Sequence, residues 1–183
     1  MGADLYIEKI HKLVLEKYEP MFEAAVQWRD SLPRGSQEAR AAQEEVVKYY
    51  DLMFMEGYFR DSYNVTCLLN WLGLSWWHDV IPLCTDRRIL QAEKLRQFRN
   101  MVARAKLEPV TRKKIVARGG TVDQGENSLD EWHRYFMEKH AELVVFLDQA
   151  LDLNTHVTCS LKEEPSCRTG ATTSSRSMDQ RRT

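Results

Sequence analysis

The chain has 183 residues, of which 43% are hydrophobic and 10% aromatic, a composition ordinary for a globular protein. This length suffices for one domain whose apolar core needs no disulfide or metal support, which excludes the small disulfide-stapled scaffolds. The formal net charge of −1 conceals a basic block, because residues 87–118 hold 11 Lys or Arg and only two Asp or Glu. Such a block is typical of an interaction surface.

The four cysteines, Cys67, Cys84, Cys159 and Cys167, form no CxxC pair and no regular framework. The first two lie in apolar surroundings, and the other two lie in a polar tail. Reduced thiols are the simplest interpretation of this pattern. The sequence therefore predicts a cytoplasmic protein, or a nuclear one if the source is a eukaryote.

Two helices are predicted in the first third of the chain. Apolar residues recur at steps of three or four from Asp4 to Leu32, which predicts a helix that bends at Pro20, or two abutting helices that meet there. The stretch LPRGS interrupts the pattern, with Ser36 as the N-cap of the next helix. That helix should run from about Gln37 to Phe59. Its last part, YYDLMFMEGYF, is so rich in aromatic residues that it is either buried on several sides or presents a partner surface.

The stretch LLNWLGLSWWHDVIPL, residues 68–83, is the most apolar part of the chain. The surrounding segment from Val65 to Cys84 is long enough to cross a membrane, but Asp79 would cost about 2.5–3.5 kcal/mol near a helix centre. Gly73 predicts a left-handed helix stop, and Ser75 predicts the N-cap of the following turn. We therefore expect two buried helical segments and no membrane contact.

The second half of the chain is predicted to hold two long helices. Thr85 is the candidate N-cap of an amphipathic helix that ends near Leu107, and its apolar face should pack on the acidic first and second helices. Residues 110–127, which include three glycines, predict an extended, mobile connector. The last helix should begin at Asn127 or Ser128 and end near Leu151.

The end of the chain is polar. Residues 155–161, THVTCSL, are compatible with an extended segment, whereas residues 162–183 hold almost no apolar side chains and predict a disordered tail. No longer stretch alternates with the period of a strand. The predicted fold class is therefore all-α, a compact bundle of about five or six helices that forms a single domain over residues 4–155.

A metal site is one candidate for the function. The adjacent pair His78–Asp79 resembles the motif of the HD-domain phosphohydrolases, in which adjacent His and Asp join an upstream His and a downstream Asp around divalent metals. The resemblance implies a metal-activated water that attacks phosphorus. This sequence departs from the family pattern, because no His lies between His11 and His78.

Nucleic-acid binding is a second candidate. Residues 68–81 resemble in part the turn of a helix-turn-helix motif, with Gly73 at the turn and Ser75 as the cap. The basic segment 87–118 that follows would bind phosphates in a salt-dependent manner. Its candidate residues are Arg87, Arg88, Arg96, Arg99, Arg104, Lys106, Arg112, Lys113, Lys114 and Arg118.

The preferred prediction is a non-catalytic, intracellular, helical protein-interaction or assembly module. Aromatic side chains are effective anchors at interfaces, and they are concentrated in two stretches of this chain. The predicted partner-binding residues are Tyr49, Tyr50, Phe54, Tyr58, Trp76 and Trp77. The expected partner is another protein or a second copy of the chain. No P-loop or dinucleotide-binding glycine pattern occurs, and we expect no cofactor.

Overall fold

The computed structural model describes residues 2–62 and 64–162 of the chain. It is 62% helical and has a four-stranded antiparallel sheet, so the prediction of an all-α bundle is wrong and the fold is mixed α/β. The helices are α1 (Glu8–Ser31), α2 (Gln37–Leu52), α3 (Leu68–Trp71), α4 (Ala92–Arg104), α5 (Arg112–Ala117) and α6 (Leu129–Asp152). The strands are β1 (Gly2–Ile7), β2 (Tyr58–Asp61), β3 (Ile89–Leu90) and β4 (Val157–Lys162).

The sheet has the strand order β2-β1-β4-β3. Its two central strands, β1 and β4, pair along their whole length, from Gly2 opposite Lys162 to Ile7 opposite Val157. Strand β4 lies in the segment where the sequence allows an extended conformation, and that interpretation is confirmed. Strands β2 and β3 escape prediction because they span only four and two residues, too few to show a clear period-two pattern. Strand β1 escapes it because Ile7 continues the apolar repeat of the first helix.

Alternation along each strand gives the sheet one buried face. In β1 the side chains of Ala3, Leu5 and Ile7 are buried on this face, and they join those of Val157 and Cys159 from β4. Successive side chains of a strand point to opposite faces, so the intervening residues form a second, polar face. The main core thus covers one side of the sheet, and on the other side Asp4 of β1 is also only 7% exposed.

Helices α3, α4 and α6 supply the main core on the covered side. The indole of Trp71 lies 4.7 Å from the ring of Phe136, and Phe59 of β2 contacts Phe146 of α6 with ring centroids 6.0 Å apart. Phe98 of α4 is fully buried in the same cluster. Helix α4 packs chiefly on α6, so the expectation that it packs on the first two helices is wrong.

Three predicted helix caps are confirmed. The hydroxyls of Ser36, Ser75 and Ser128 accept hydrogen bonds from backbone N–H groups at the starts of the following helical segments. Gly73 adopts a left-handed conformation with φ of +67°, as its position after α3 predicts. The segment after Ser75 is one π-helical turn, Trp76–Val80, followed by a 3₁₀ turn, Ile81–Leu83.

Helix α1 begins at Glu8 rather than near Asp4, because residues 2–7 form β1. Two further helix boundaries differ from prediction. Helix α2 ends at Leu52 rather than Phe59, because the chain turns at Gly57 and enters β2. Helix α4 begins at Ala92, since Thr85 instead caps a turn in which its hydroxyl accepts a hydrogen bond from Ile89 N at 3.3 Å. In both places a short strand takes residues that the apolar pattern assigned to a helix.

The segment 110–127, for which the sequence predicts an extended connector, contains the short helix α5 with Ile115 fully buried. The predicted disordered tail, residues 162–183, lies outside the described residues except for Lys162 at the end of β4. Within the described ranges, no helix is both long enough and apolar enough to cross a membrane.

Candidate interaction surface

Helices α1 and α2 form an antiparallel hairpin, residues 8–52, that packs chiefly on itself. The pairing order shows the direction: Arg29 Nη1 donates to Gln43 Oε1 at 3.2 Å near the tip, whereas Phe22 faces Tyr50 nearer the base. The buried side chains of the two helices are Val14, Ala25, Ala42 and Val46. Among the described residues, none of these four joins the main core cluster, so the hairpin has a thin apolar seam of its own.

The hairpin leaves large apolar side chains in solvent. On α1, Leu13 is 66% exposed, and Met21 and Trp28 are each 45% exposed. Their spacing of eight and seven residues keeps them within about 80° of one another around the helix, in a stripe about 22 Å long. We call Leu13, Met21 and Trp28 the α1 stripe. A stripe of this shape is typical of a helix that packs against another helix.

A groove of about 390 Å³ lies at the base of the hairpin, beside the α1 stripe. Leu13, Ile10 and Leu52 line it, together with Met55, which is 70% exposed just beyond the end of α2. Lys17 and Glu56 stand at the same groove and give it one charge of each sign. The apolar surface of α1 therefore continues into a concave site.

A run of aromatic rings connects the hairpin with the polar face of the sheet. Adjacent ring centroids lie 4.5 to 6.2 Å apart, within the range in which aromatic pairs stabilise one another. In order, the rings belong to Phe22, Tyr50, Phe54, Tyr58, Tyr6 and His11. The run braces the base of the hairpin against β1 and β2.

The polar face of the sheet carries a carboxylate at this junction. The hydroxyl of Tyr58 donates to Asp4 Oδ1 at 2.7 Å, and Arg60 Nε lies 3.8 Å from the same oxygen. Burial, together with the hydrogen bond to Asp4, raises the pKa of Tyr58, so the phenol remains a donor. Burial also raises the pKa of Tyr6 and lowers that of His11. These contacts form a fixed polar network rather than an open binding site.

The predicted partner-binding residues fall into separate environments. Tyr50 is 50% exposed on the hairpin and Trp77 is 38% exposed on the π-helical turn, while Tyr49 and Phe54 are half-buried. Tyr58 belongs to the polar network of the sheet. The sixth residue, Trp76, is only 2% exposed, so the structure does not bring the set together as one surface.

Trp76 belongs to a buried polar cluster around Asp61. Its indole Nε1 donates to Asp61 Oδ2 at 2.8 Å, and the backbone N–H groups of Leu68 and Leu69 at the start of α3 donate to the same carboxylate. Lys139 Nζ lies 3.5 Å from Asp61 Oδ1, and the Cys67 thiol is 3.3 Å from Oδ2. Burial and the Asp61 charge raise the pKa of Cys67 to about 12. The cluster holds strand, turn and helices together in the core.

The pair His78–Asp79 serves local structure. Asp79 Oδ2 accepts a hydrogen bond from Ser75 N at 2.7 Å, while Ser75 Oγ accepts one from His78 N at 3.4 Å, a reciprocal N-cap. The His78 side chain is exposed. Among the described residues, no group of three or more His, Cys, Asp or Glu side chains is arranged to hold a metal ion. His140 of α6 is half-buried, and its Nε2 atom lies 2.9 Å from Val102 O.

The basic segment is partly neutralised within the fold. Arg99 makes two hydrogen bonds to Asp148 of α6, at 2.7 and 2.9 Å, and Lys114 and Arg118 both pair with Glu108. Arg88 stacks near Trp77, 5.9 Å from its ring centroid. The other six candidates are exposed and have no acidic partner in the described part of the chain. They are Arg87, Arg96, Arg104, Lys106, Arg112 and Lys113.

Fold and surface together define a helix-rich α/β protein with a two-helix hairpin outside its main core. Neither protein-family models nor curated proteins nor solved structures gave a match to this chain.

Sequence reasoning missed the residues that distinguish the hairpin. Met21 and Trp28 belong to the apolar repeat of α1, so the sequence assigns them to the core together with Val14 and Ala25. Only the packing separates the buried pair from the exposed pair. Leu13 lies beside the repeat, and nothing in its spacing marks it as exposed.

Proposed function

We propose that the protein is a protein-interaction module that self-associates through its helical hairpin. The observation that carries the proposal is the α1 stripe, in which three large apolar side chains lie exposed along one helix. A two-helix layer buries few side chains, whereas two such layers face to face form a four-helix arrangement with a fuller core. The hairpin, with the exposed α1 stripe on one helix, therefore suits one half of such an arrangement.

Geometry favours an antiparallel contact between two α1 helices. With Met21 near the centre, Leu13 of one copy lies opposite Trp28 of the other, so both ends of the stripe are covered. Residues 8–52 hold seven Lys or Arg and nine Asp or Glu, so the hairpin has no strong field of either sign. That balance suits a protein surface, including a second copy, better than a polyanion.

Self-association is tested by light scattering after size exclusion, at loading concentrations up to about 100 μM. The wild-type chain should elute with the mass of a dimer. The double variant Leu13→Gln/Trp28→Gln should shift it to the monomer, weakening the dimer by about tenfold or more. A wild-type chain that stays monomeric throughout would overturn the proposal.

The double variant Met137→Gln/Val145→Gln provides the matched control. Met137 and Val145 are 49% and 65% exposed on α6, close to the 45% of Trp28 and the 66% of Leu13, so this variant also removes two large exposed apolar side chains, but outside the hairpin. The dimer of this control should dissociate over the same concentration range as the wild-type dimer. Equal weakening by the control and the hairpin variant would show that general surface apolarity, not the α1 stripe, drives association.

Reduced thiols support a cytoplasmic location for this module. Cys67, Cys84 and Cys159 are all free in the structure. Disulfides are rare in proteins of the reducing cytosol. Cell fractionation with an antibody to the chain tests the location, and recovery only from an oxidising compartment would contradict it.

Nucleic-acid binding is a second candidate, favoured by the exposed face of α4. Arg96, Asn100 and Arg104 recur every four residues and line one shallow groove of about 390 Å³. Arginines spaced along one helix face suit successive phosphates of a backbone. Retention on immobilised DNA or RNA should fall steeply with salt and weaken in Arg96→Gln/Arg104→Gln. The control Lys12→Gln/Lys48→Gln removes the same charge from the hairpin, and equal weakening would contradict a site on α4.

A further inference from the structure

Two thiols from distant parts of the chain meet beside the edge strand β3. Cys84 follows the 3₁₀ turn Ile81–Leu83, and Cys159 lies in β4. Their sulfur atoms are 4.0 Å apart, although the residues are 75 positions apart in sequence. The loop between Cys84 and β3 is held against β4, because Cys159 N donates to Arg88 O at 2.9 Å. The loop and the strand therefore keep the two thiols together.

The two thiols differ in accessibility. Cys84 is partly exposed, whereas Cys159 is only 2% exposed beneath it. The hydrogen bond with Cys159 and the nearby Arg88 charge lower the pKa of Cys84, although burial opposes the effect. The same hydrogen bond and burial raise the pKa of Cys159. Cys84 is therefore the thiol that ionises first and that solvent reaches first.

We propose that Cys84 and Cys159 form a redox-modification site, in which a hydroperoxide oxidises Cys84 and Cys159 then closes an intrachain disulfide. A partly exposed thiol beside a second thiol is the arrangement of a reactive cysteine with its resolving partner. Cys67 does not fit this role, because it is fully buried and its pKa is raised to about 12.

The chemistry balances in two steps. The Cys84 thiolate attacks the terminal oxygen of the hydroperoxide, the O–O bond breaks, and a sulfenic acid and an alkoxide form; the alkoxide takes a proton from water. The Cys159 sulfur then attacks the sulfenic sulfur, the S–O bond breaks, and the hydroxyl leaves as water with the Cys159 proton. Overall, two thiols lose two electrons to one hydroperoxide, giving one disulfide, one alcohol and one water.

Closing the bond requires a small movement. The sulfur atoms must approach from 4.0 Å to about 2.05 Å, with Cys84 just after the 3₁₀ turn and Cys159 in the central strand β4. The bridge would join the loop before β3 to the central strand β4. Oxidation would thereby fix the edge of the sheet, on the side opposite to β2.

The test is oxidation of the full-length reduced chain with hydrogen peroxide, followed by digestion and mass spectrometry without reduction. The expected product is a peptide pair linked through Cys84 and Cys159, about 2 Da lighter than the two thiol peptides together. The oxidised chain should also melt several degrees higher than the reduced one, because the bridge closes a long loop. A linkage through Cys67 or Cys167, or no linkage while other thiols oxidise, would overturn the proposal.

Cysteine variants separate the role of Cys84, which the hydroperoxide oxidises, from the role of Cys159, which closes the disulfide. Cys159→Ser should stop the reaction at the Cys84 sulfenic acid, which dimedone labels, and Cys84→Ser should abolish both labelling and linkage. Cys67→Ser and Cys167→Ser should leave the Cys84–Cys159 linkage in place. If Cys159→Ser proves too unstable to purify, dimedone competition in the wild-type chain still decides the matter. Label trapped on Cys84 supports the proposal, and label on another cysteine contradicts it.

Discussion

Lys139 Nζ lies 3.5 Å from Asp61 Oδ1, and both side chains are buried, Asp61 to 1% and Lys139 to 7% exposure. The carboxylate also accepts hydrogen bonds from Trp76 Nε1 and from the N–H groups of Leu68 and Leu69. The ammonium donates to Thr66 O at 2.9 Å. Each charge is thus surrounded by partners, which is the condition under which a buried ion pair is tolerated.

Asp61→Asn should destabilise the protein by about 3–5 kcal/mol. The substitution leaves the Lys139 charge buried without its counter-ion, and it replaces one acceptor oxygen with an NH₂ donor that faces existing donors. Lys139→Met should cost less, about 1–3 kcal/mol, because Asp61 keeps its other donors. Urea unfolding followed by circular dichroism measures both free energies. The reverse order of effects would contradict this assignment of roles.

The exposed pair Arg99–Asp148 is the control for Asp61. Its side chains are 31% and 42% exposed, so solvent already screens the interaction. Asp148→Asn should therefore change the free energy of unfolding by less than about 1 kcal/mol. A loss as large as that of Asp61→Asn would mean that burial does not explain the difference.

Gly57→Ala should destabilise the turn before β2 by more than about 2 kcal/mol. Gly57 has φ of +65°, and an added Cβ would lie 2.7 Å from Ile10 Cβ. Gly73→Ala tests the backbone contribution alone, because Gly73 has φ of +67° but nothing within 4 Å of an added Cβ. Its expected cost is about 1 kcal/mol. Equal costs in chemical unfolding would contradict the steric role of Ile10.

Acidification should weaken the fold through His11. Burial lowers the pKa of His11 below its ordinary value of 6.5, and the Glu8 charge opposes this only in part. The unfolded chain then takes up a proton at a higher pH than the folded one, so stability falls as pH drops below 6.5 and through the folded pKa. His11→Phe, which keeps a ring beside Tyr6, should flatten the melting temperature over this range.

His133→Gln is the comparison for the pH experiment, because His133 is exposed on α6. The variant should retain the acid sensitivity of the wild type. If it loses that sensitivity while His11→Phe retains it, the assignment to His11 is wrong.

Hydrogen exchange should distinguish the hairpin from the main core. The α2 backbone packs on a thin seam, whereas the centre of α6 carries the fully buried Leu143 and Leu147. In the monomeric variant Leu13→Gln/Trp28→Gln, the amides of α2 should therefore exchange sooner than the amides of α6. In the wild type, raising the concentration should protect the α1–α2 hairpin more than α6. Uniform protection at all concentrations would contradict both expectations.

Local signals made much of the helical structure predictable. Ser36, Gly73, Ser75 and Ser128 act where the sequence places them, because a cap depends on a few neighbouring residues. Strands β2 and β3 were not predictable in this way, because each is too short to show a period. Strand β1 was not predictable because its apolar residues merge with the helical repeat of α1, and its partner β4 comes from a remote segment.

The candidate sites likewise combine features that the sequence determines with features that only the tertiary structure decides. The sequence determines that α1 has an apolar repeat, that residues 87–118 are basic and that Cys84 lies in apolar surroundings. Tertiary structure alone decides that Met21 and Trp28 are exposed while Val14 and Ala25 are buried, and that Arg99 finds Asp148. It also brings Cys84 to 4.0 Å from Cys159. Periodicity is a property of neighbouring residues, whereas burial and pairing depend on where distant segments meet.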